Sequence, residues 1–244
     1  QEEVQDNTLD ELDSPKESTE EDEQFEEFRA AFDPENQYSI RILKRFFYLA
    51  SGNKDDAVEY TKKFFTIWNE ENAKAPDSQV IEEIKTNKMT FGGKDKHGRR
   101  IVHFHYYKHD PKAFPLASTM KLFFFLMDVA LDDRVTAKEG MVFVCWMRNS
   151  GWSNFDLASE KYFTETFTAF SPMSLKMMNQ MILVDSPWYV WAAMKLCAPF
   201  ITREIREKLV MQTEQELRSQ YSKEALAEND LFLTTVESPE YTAW

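Results

Sequence analysis

Residues 181–211 read MILVDSPWYVWAAMKLCAPFITREIREKLVM. Met181 to Val184 form an apolar run too short for a buried helix and suited to a buried strand. Pro187 has no N–H to give a central strand, yet its fixed φ suits the first turn of a helix. From Trp188 to Leu196 the large apolar residues recur at three- and four-residue spacing, with Trp188, Trp191, Ala192, Lys195 and Leu196 in step, until Pro199 stops the run. The stretch predicts a strand, a proline turn, an unusually aromatic helix and a charged turn.

Working outward, the same alternation repeats upstream. Residues 141–147 read as a buried strand and 155–170 as a helix; residues 116–131 read as a helix carrying Phe123-Phe124-Phe125. Residues 91–111 read as a turn and then a strand, nearly continuous in hydrophobicity from Ile101 to Tyr107, as expected where both faces are covered. Strands alternating with helices predict an α/β fold with a largely parallel mixed sheet and right-handed crossovers. Ahead of the sheet, residues 25–32 suit a short helix ended near Asp33-Pro34. Ile42, Leu43, Phe46, Phe47 and Leu49 then mark a second helix, and Ala57, Val58, Tyr60, Phe64, Phe65 and Trp68 a third, antiparallel to it across Ser51-Gly52-Asn53. These helices form an amino-terminal lobe over residues 25–88.

Charge is unevenly placed. Of the net −13, residues 1–27 contribute −12 through thirteen acidic side chains and one lysine. Residues 1–24 are therefore expected to be a disordered acidic tail, open to a protein partner, while the rest of the chain is near neutral. A hydrophobic share of 43% can fill a sizeable core. No apolar run approaches the roughly eighteen residues needed to span a bilayer, and the first residues are acidic, unlike a signal peptide. Cys145 and Cys197 lie in apolar runs as buried thiols rather than a disulfide framework, which favours a cytoplasmic setting.

Several chemistries are disfavoured. His103 and His105 are alternate residues that share a strand face, but His97 and His109 do not complete a ligand set and no carboxylate cluster adjoins them, so no metal site is expected. No phosphate-binding glycine motif and no G-x-S-x-G elbow occurs, and Cys145 has no paired histidine signature. Dispersed positive charge beside an acidic tail argues against nucleic acid. No cofactor and no catalytic residue is expected.

The order Asp185-Ser186-Pro187-Trp188, Pro199-Phe200 and Lys208-Leu209-Val210 resembles the end of the CRAL-TRIO lipid-binding domain, the yeast phosphatidylinositol-transfer-protein fold. Asp95, Gly98 and Arg99 resemble that family's turn into its first sheet strand, and Arg45-Phe46 with Trp68 resemble its helical lobe. Asp185 to Trp188 with Ala192-Ala193 is most similar to the CRAL-TRIO domains of motile-sperm-domain proteins. The resemblance implies a lipid-binding domain over residues 89–232, a carboxyl-terminal extension over 233–244, and a gate helix over a hydrophobic cavity.

Carried across, the sheet floor becomes Phe104, Tyr106, Phe143, Cys145 and Leu183, with Phe123 on the helix above. The gate becomes Trp188, Trp191, Ala192, Leu196 and Phe200, and Lys208 is the one matched headgroup residue. Phe143, Cys145 and Lys176 stand where phosphatidylinositol-transferring members place small hydroxyl residues and a glutamate, so the usual phosphatidylinositol contacts are not expected. Trp191, Lys195 and Arg203 are the expected membrane contacts. The implied function is non-catalytic binding, and transfer or presentation, of a hydrophobic lipid by a peripherally membrane-associated protein. The alternative is a scaffold whose cavity is filled by its own side chains.

Overall fold

The computed structural model describes residues 19–70, 77–155 and 171–236, with Lys161, Glu165 and Thr168 helical between the last two spans. Three helices open the chain: α1 (Glu20–Phe32), α2 (Ile40–Leu49) and α3 (Lys54–Glu70). The first begins inside the span assigned to the acidic tail. Thr19 and Asp22 exchange hydrogen bonds as a capping box, and Glu20, Glu21, Asp22 and Glu23 lie at the positive end of the helix, so the acidic residues here build structure. Phe25 and Phe28 then pack on Phe47 of α2. The expected stripe of α2 is buried, and so is Arg45, whose guanidinium pairs with Asp128 and Asp132 and ties the lobe to the rest of the molecule.

Next come α4 (Ser78–Lys85), which the sequence reading missed, and five strands: β1 (Met89–Lys94), β2 (Arg100–His105), β3 (Met141–Trp146), β4 (Met178–Val184) and β5 (Leu209–Gln212). They lie in the order β1-β2-β3-β4-β5; β1 is antiparallel to β2 and the remaining pairs are parallel. Two sequence expectations need correction. Phe91 belongs to a strand and not to a turn, and β2 stops at His105, so Tyr106 falls in a single 3-10 turn (Tyr106–Lys108) at the strand's end. Gly92 and Gly93 masked β1. A side chain on Gly93 would come within 2.6 Å of the Glu224 carbonyl, so the pair marks a close backbone approach within a strand. The turn to β2 is built by Asp95, whose carboxylate accepts from the amides of His97 and Arg99, both at 2.9 Å, while Gly98 takes φ +80°.

The crossovers carry α5 (Leu116–Ala130), α6 (Arg134–Glu139), α7 (Met173–Met177), α8 (Trp188–Cys197) and α9 (Arg203–Lys208). Parallel strands in strictly sequential order, joined by crossovers of one hand, place their helices on one face of the sheet. Phe123 of α5 stacks on Phe143 there, and Tyr189 and Val190 of α8 pack with Cys145 and Leu183. The opposite face, Ile101, Val142, Val144, Ile182 and Val184, is covered by α10 (Glu214–Gln220) and by Tyr221, Ala225 and Leu226. This double cover explains the near-continuous hydrophobicity of β2 and β3. A final helix, α11 (Leu231–Val236), buries Phe232 and Val236 in the main core, so the boundary expected at 232 falls within it. Most of the helix expected over 155–170 lies outside the described residues, as does the acidic stretch before Thr19. Among the described residues no helix is long and apolar enough to cross a membrane.

Candidate functional site

The helix-covered face does not close fully. A cavity of about 220 Å³ lies between it and the helices. Alternate strand residues point to one face, and those lining the floor are Val102 and Phe104 of β2, Phe143 and Cys145 of β3, and Met181 and Leu183 of β4. Leu116, Thr119, Met120 and Phe123 of α5 form one wall; Tyr189, Val190 and Met194 of α8, with Ile201 and Ile205, form another. Six methionines line it: Met89, Met120, Met147, Met178, Met181 and Met194.

Six of the residues singled out from sequence meet at this cavity: Phe104, Tyr106, Phe123, Phe143, Cys145 and Leu183. The α8 residues are placed differently. Trp188 is 76% exposed and so cannot line an interior, and Ala192 is half-buried away from the lining; Lys195, expected as a membrane contact and not as a lining residue, is exposed. The side chains of Trp191, Leu196 and Phe200 lie outside the described residues. The α8 residues that do face the cavity, Tyr189, Val190 and Met194, are out of phase with the face read from sequence. Pro187 caps the helix without a side-chain bond, and β4 delivers the chain into it, so the strand sets the phase. The remaining lining residues that sequence reasoning missed, Met181 among them, had one available signal: Met181 alternates with Leu183 along β4.

One corner of the cavity is polar. Behind it Glu83 of α4 and Lys88, both wholly buried, form an ion pair. Lys88 Nζ also donates to Thr119 Oγ1 at 3.2 Å and contacts His109 Nδ1 at 3.3 Å; Glu83 accepts from Thr119 Oγ1 at 2.6 Å and from Ser118 Oγ at 2.5 Å. Burial lowers the Lys88 pKa, against the opposing pull of Glu83. Only His109 and Thr119 of this cluster reach the cavity lining.

Lys208 does not reach the lining. Its half-buried Nζ donates to the Met178 carbonyl at 2.7 Å, and burial lowers its pKa. Arg203 is exposed and pairs with Glu207 one turn on. His103 and His105 lie on the opposite face of the sheet, where Trp146 Nε1 donates to His103 Nδ1 at 3.0 Å and His105 contacts Glu228 at 2.9 Å. Among the described residues no group of three His, Cys, Asp or Glu side chains could hold a metal ion.

The family described as the CRAL/TRIO domain matches residues 84–229, more than half of the chain. Mouse tyrosine-protein phosphatase non-receptor type 9 is 24% identical over 157 residues, which cover 64% of this chain and 26% of that protein. The CRAL-TRIO domain-containing protein C23B6.04c of Schizosaccharomyces pombe is 27% identical over 134 residues, 55% of this chain and 13% of that protein. The chain thus spans about a quarter or less of the length of these relatives. The crystal structure of Sfh5 superposes with a TM-score of 0.55 at 13% identity, covering 91% of this chain and 90% of that one.

Proposed function

Because the chain belongs to the CRAL/TRIO family, a family of lipid-binding and lipid-transfer domains, we propose that it binds one hydrophobic lipid without catalysis and carries or presents that lipid at a membrane. The apolar cavity on the helix-covered face of the sheet is the observation that supports this most. An apolar cavity of about 150 Å³ stays dry and admits a molecule the size of benzene. Each methylene buried contributes about 0.8 kcal/mol, before ordering costs. Methionines adapt to the shape of a flexible chain, and this free space favours carriage over a scaffold with a filled interior.

In this proposal Phe104, Tyr106, Phe123, Phe143, Cys145 and Leu183 hold the hydrocarbon and α8 acts as the gate. Tyr189, Val190 and Met194 form its inner face; Trp191, Ala192, Leu196 and Phe200 complete the gate segment. Membrane docking uses exposed Trp188 and the neighbouring Trp152, whose ring lies 5.0 Å from that of Tyr189, with Lys195 and Arg203 drawn to anionic lipid on the cytoplasmic side. In the same proposal the acidic sequence ahead of Thr19 recruits a protein partner through its charge. Phosphatidylinositol is not held by the family's usual contacts, since Phe143, Cys145 and Lys176 stand where those contacts call for small hydroxyl residues and a glutamate.

A transfer assay tests this. The chain should move a fluorescent apolar lipid between two vesicle populations, and Cys145→Trp, which fills the floor of the cavity, should slow transfer by at least about tenfold with an unchanged circular dichroism spectrum. Equal transfer by the two proteins, or none by the wild type, would refute carriage in this cavity.

A further inference from the structure

β2, β3 and β4 are adjacent and parallel, so their carboxyl ends lie along one edge of the sheet. A large aromatic follows each of them. Tyr107 stands in the 3-10 turn after β2, Trp152 opens a second 3-10 turn (Trp152–Asn154) after β3, and Trp188 opens α8 after β4. All three are exposed, Tyr107 at 42%. Single apolar residues scattered over a surface are ordinary, whereas three large rings along one sheet edge make a patch.

The edge is braced from within. Tyr107 packs edge-on to His105 at 5.7 Å, Trp152 lies 5.8 Å from Phe155 and 5.0 Å from Tyr189, and Trp188 meets Tyr189 at 6.3 Å. Hydrogen bonds tie the turns to one another. Asn154 Nδ2 donates to the carbonyls of Tyr107 at 3.1 Å and His109 at 2.9 Å, and Ser150 Oγ shares a bond of 2.7 Å with the Tyr189 hydroxyl. Rings held this way lose little freedom when a partner covers them. Each joins an apolar body to a polar tip, a phenol O–H or an indole N–H, which suits the boundary between lipid headgroups and hydrocarbon. Arg148, the exposed cation after β3, is already paired with Asp185 and Glu214, so the rings and not free charge distinguish this edge.

α8 runs back from the edge toward the start of β5, which places Lys195 about 10 Å along its axis from Trp188. Tyr107 belongs to a strand two places from β4, about 10 Å across the sheet. A bilayer met by the outer side of α8 has no need of Tyr107; one met by the edge takes in all three rings. Resting on the membrane-docking reading above, we propose that the bilayer is met by the carboxyl edge of the sheet, with Tyr107 as a third aromatic anchor beside Trp152 and Trp188. α8 then approaches the membrane by its first turn and not along its length.

Co-sedimentation of the 244-residue chain with vesicles of phosphatidylcholine and phosphatidylserine tests this. Tyr107→Ser should weaken binding about fivefold, and Tyr107→Trp should bind at least as well as the wild type, with nearly unchanged melting temperatures. Comparing these two variants separates the contact of the ring from a loss of folded protein. Tyr38→Ser removes a ring of similar exposure, 37%, from the helical lobe and should change binding by less than about twofold. Undiminished binding by Tyr107→Ser, or an equal loss in Tyr38→Ser, overturns docking by the edge; membrane docking itself stands if replacing both Trp152 and Trp188 by Ser still weakens binding. Absent binding by the wild type, or full binding by that double variant, overturns both.

Discussion

His103 and His105 share a face of β2, as alternate strand residues must, but their surroundings differ. His105 meets the carboxylate of Glu228, which also accepts from Thr90 at 2.6 Å. His103 is wholly buried, accepts from Trp146 at Nδ1, and so carries its proton on Nε2, which has no hydrogen-bond partner. Burial pushes its pKa down to about 4. Between an unfolded value of about 6.5 and this folded value, the unfolded chain binds a proton that the folded chain refuses. Stability is therefore full above that window and falls as pH drops through it, by roughly 3 kcal/mol for such a shift. The His105 hydrogen bond is the largest influence holding Glu228 down at about 2, so its contribution persists above its unfolded value and is lost only at lower pH. His103→Gln keeps an acceptor for Trp146 and removes the titration. Its urea midpoint should change much less than that of the wild type between about pH 6.5 and 4; a wild-type midpoint constant over that window would contradict the burial argument. At this scale the opening turn was legible, because Asp95, Gly98 and Arg99 each do a fixed job in it. The partners of His103 and His105 were not, since Trp146 and Glu228 lie far away along the chain.

Among elements, α8 shows what a sequence can and cannot carry. Its limits follow from Pro187 and Pro199, and the helix is where periodicity put it. Its phase was not legible: of its ten residues only Lys195 is charged, so no polar stripe marks the outward side. The phase exposes Trp188 at 76% and leaves Trp152, 53% exposed, beside Tyr189. In the proposed docking these two aromatics enter the bilayer surface, so replacing both by Ser should weaken binding to anionic vesicles by about tenfold or more, measured by co-sedimentation, while the melting temperature stays nearly unchanged. Undiminished sedimentation would place docking elsewhere. The short helices α4, α6, α9 and α10 escaped notice because six to eight residues hold too few apolar positions for a period. Their signals were the caps Asp77, Asp133, Thr202 and Thr213, each accepting from a backbone amide. In β1 the obstacle was Gly92-Gly93, whose packing partner lies in the carboxyl-terminal segment.

For the whole molecule, the alternation of strands and helices was enough to give the α/β class and the largely parallel sheet, because parallel strands need crossovers. The division of labour between the two faces was not. It depends on the segment after β5 folding back, with Gly93 donating to the Ala225 carbonyl at 2.9 Å and Asn229 to that of Phe91 at 2.9 Å. That segment seals the outer face and leaves the inner one, under α5 and α8, with an unfilled space lined by both sheet and helices. The helical lobe is held by Arg45 to Asp128 of α5 and to Asp132 in the turn after it, so the cavity wall and the lobe are one packed unit. A molecule built this way should carry a single guest. Native mass spectrometry of the chain, re-isolated from vesicles of mixed cellular lipids, weighs that guest. One added mass per chain, corresponding to one lipid and absent from Cys145→Trp, is the expected result; a wild-type chain recovered at its bare mass would contradict lipid carriage.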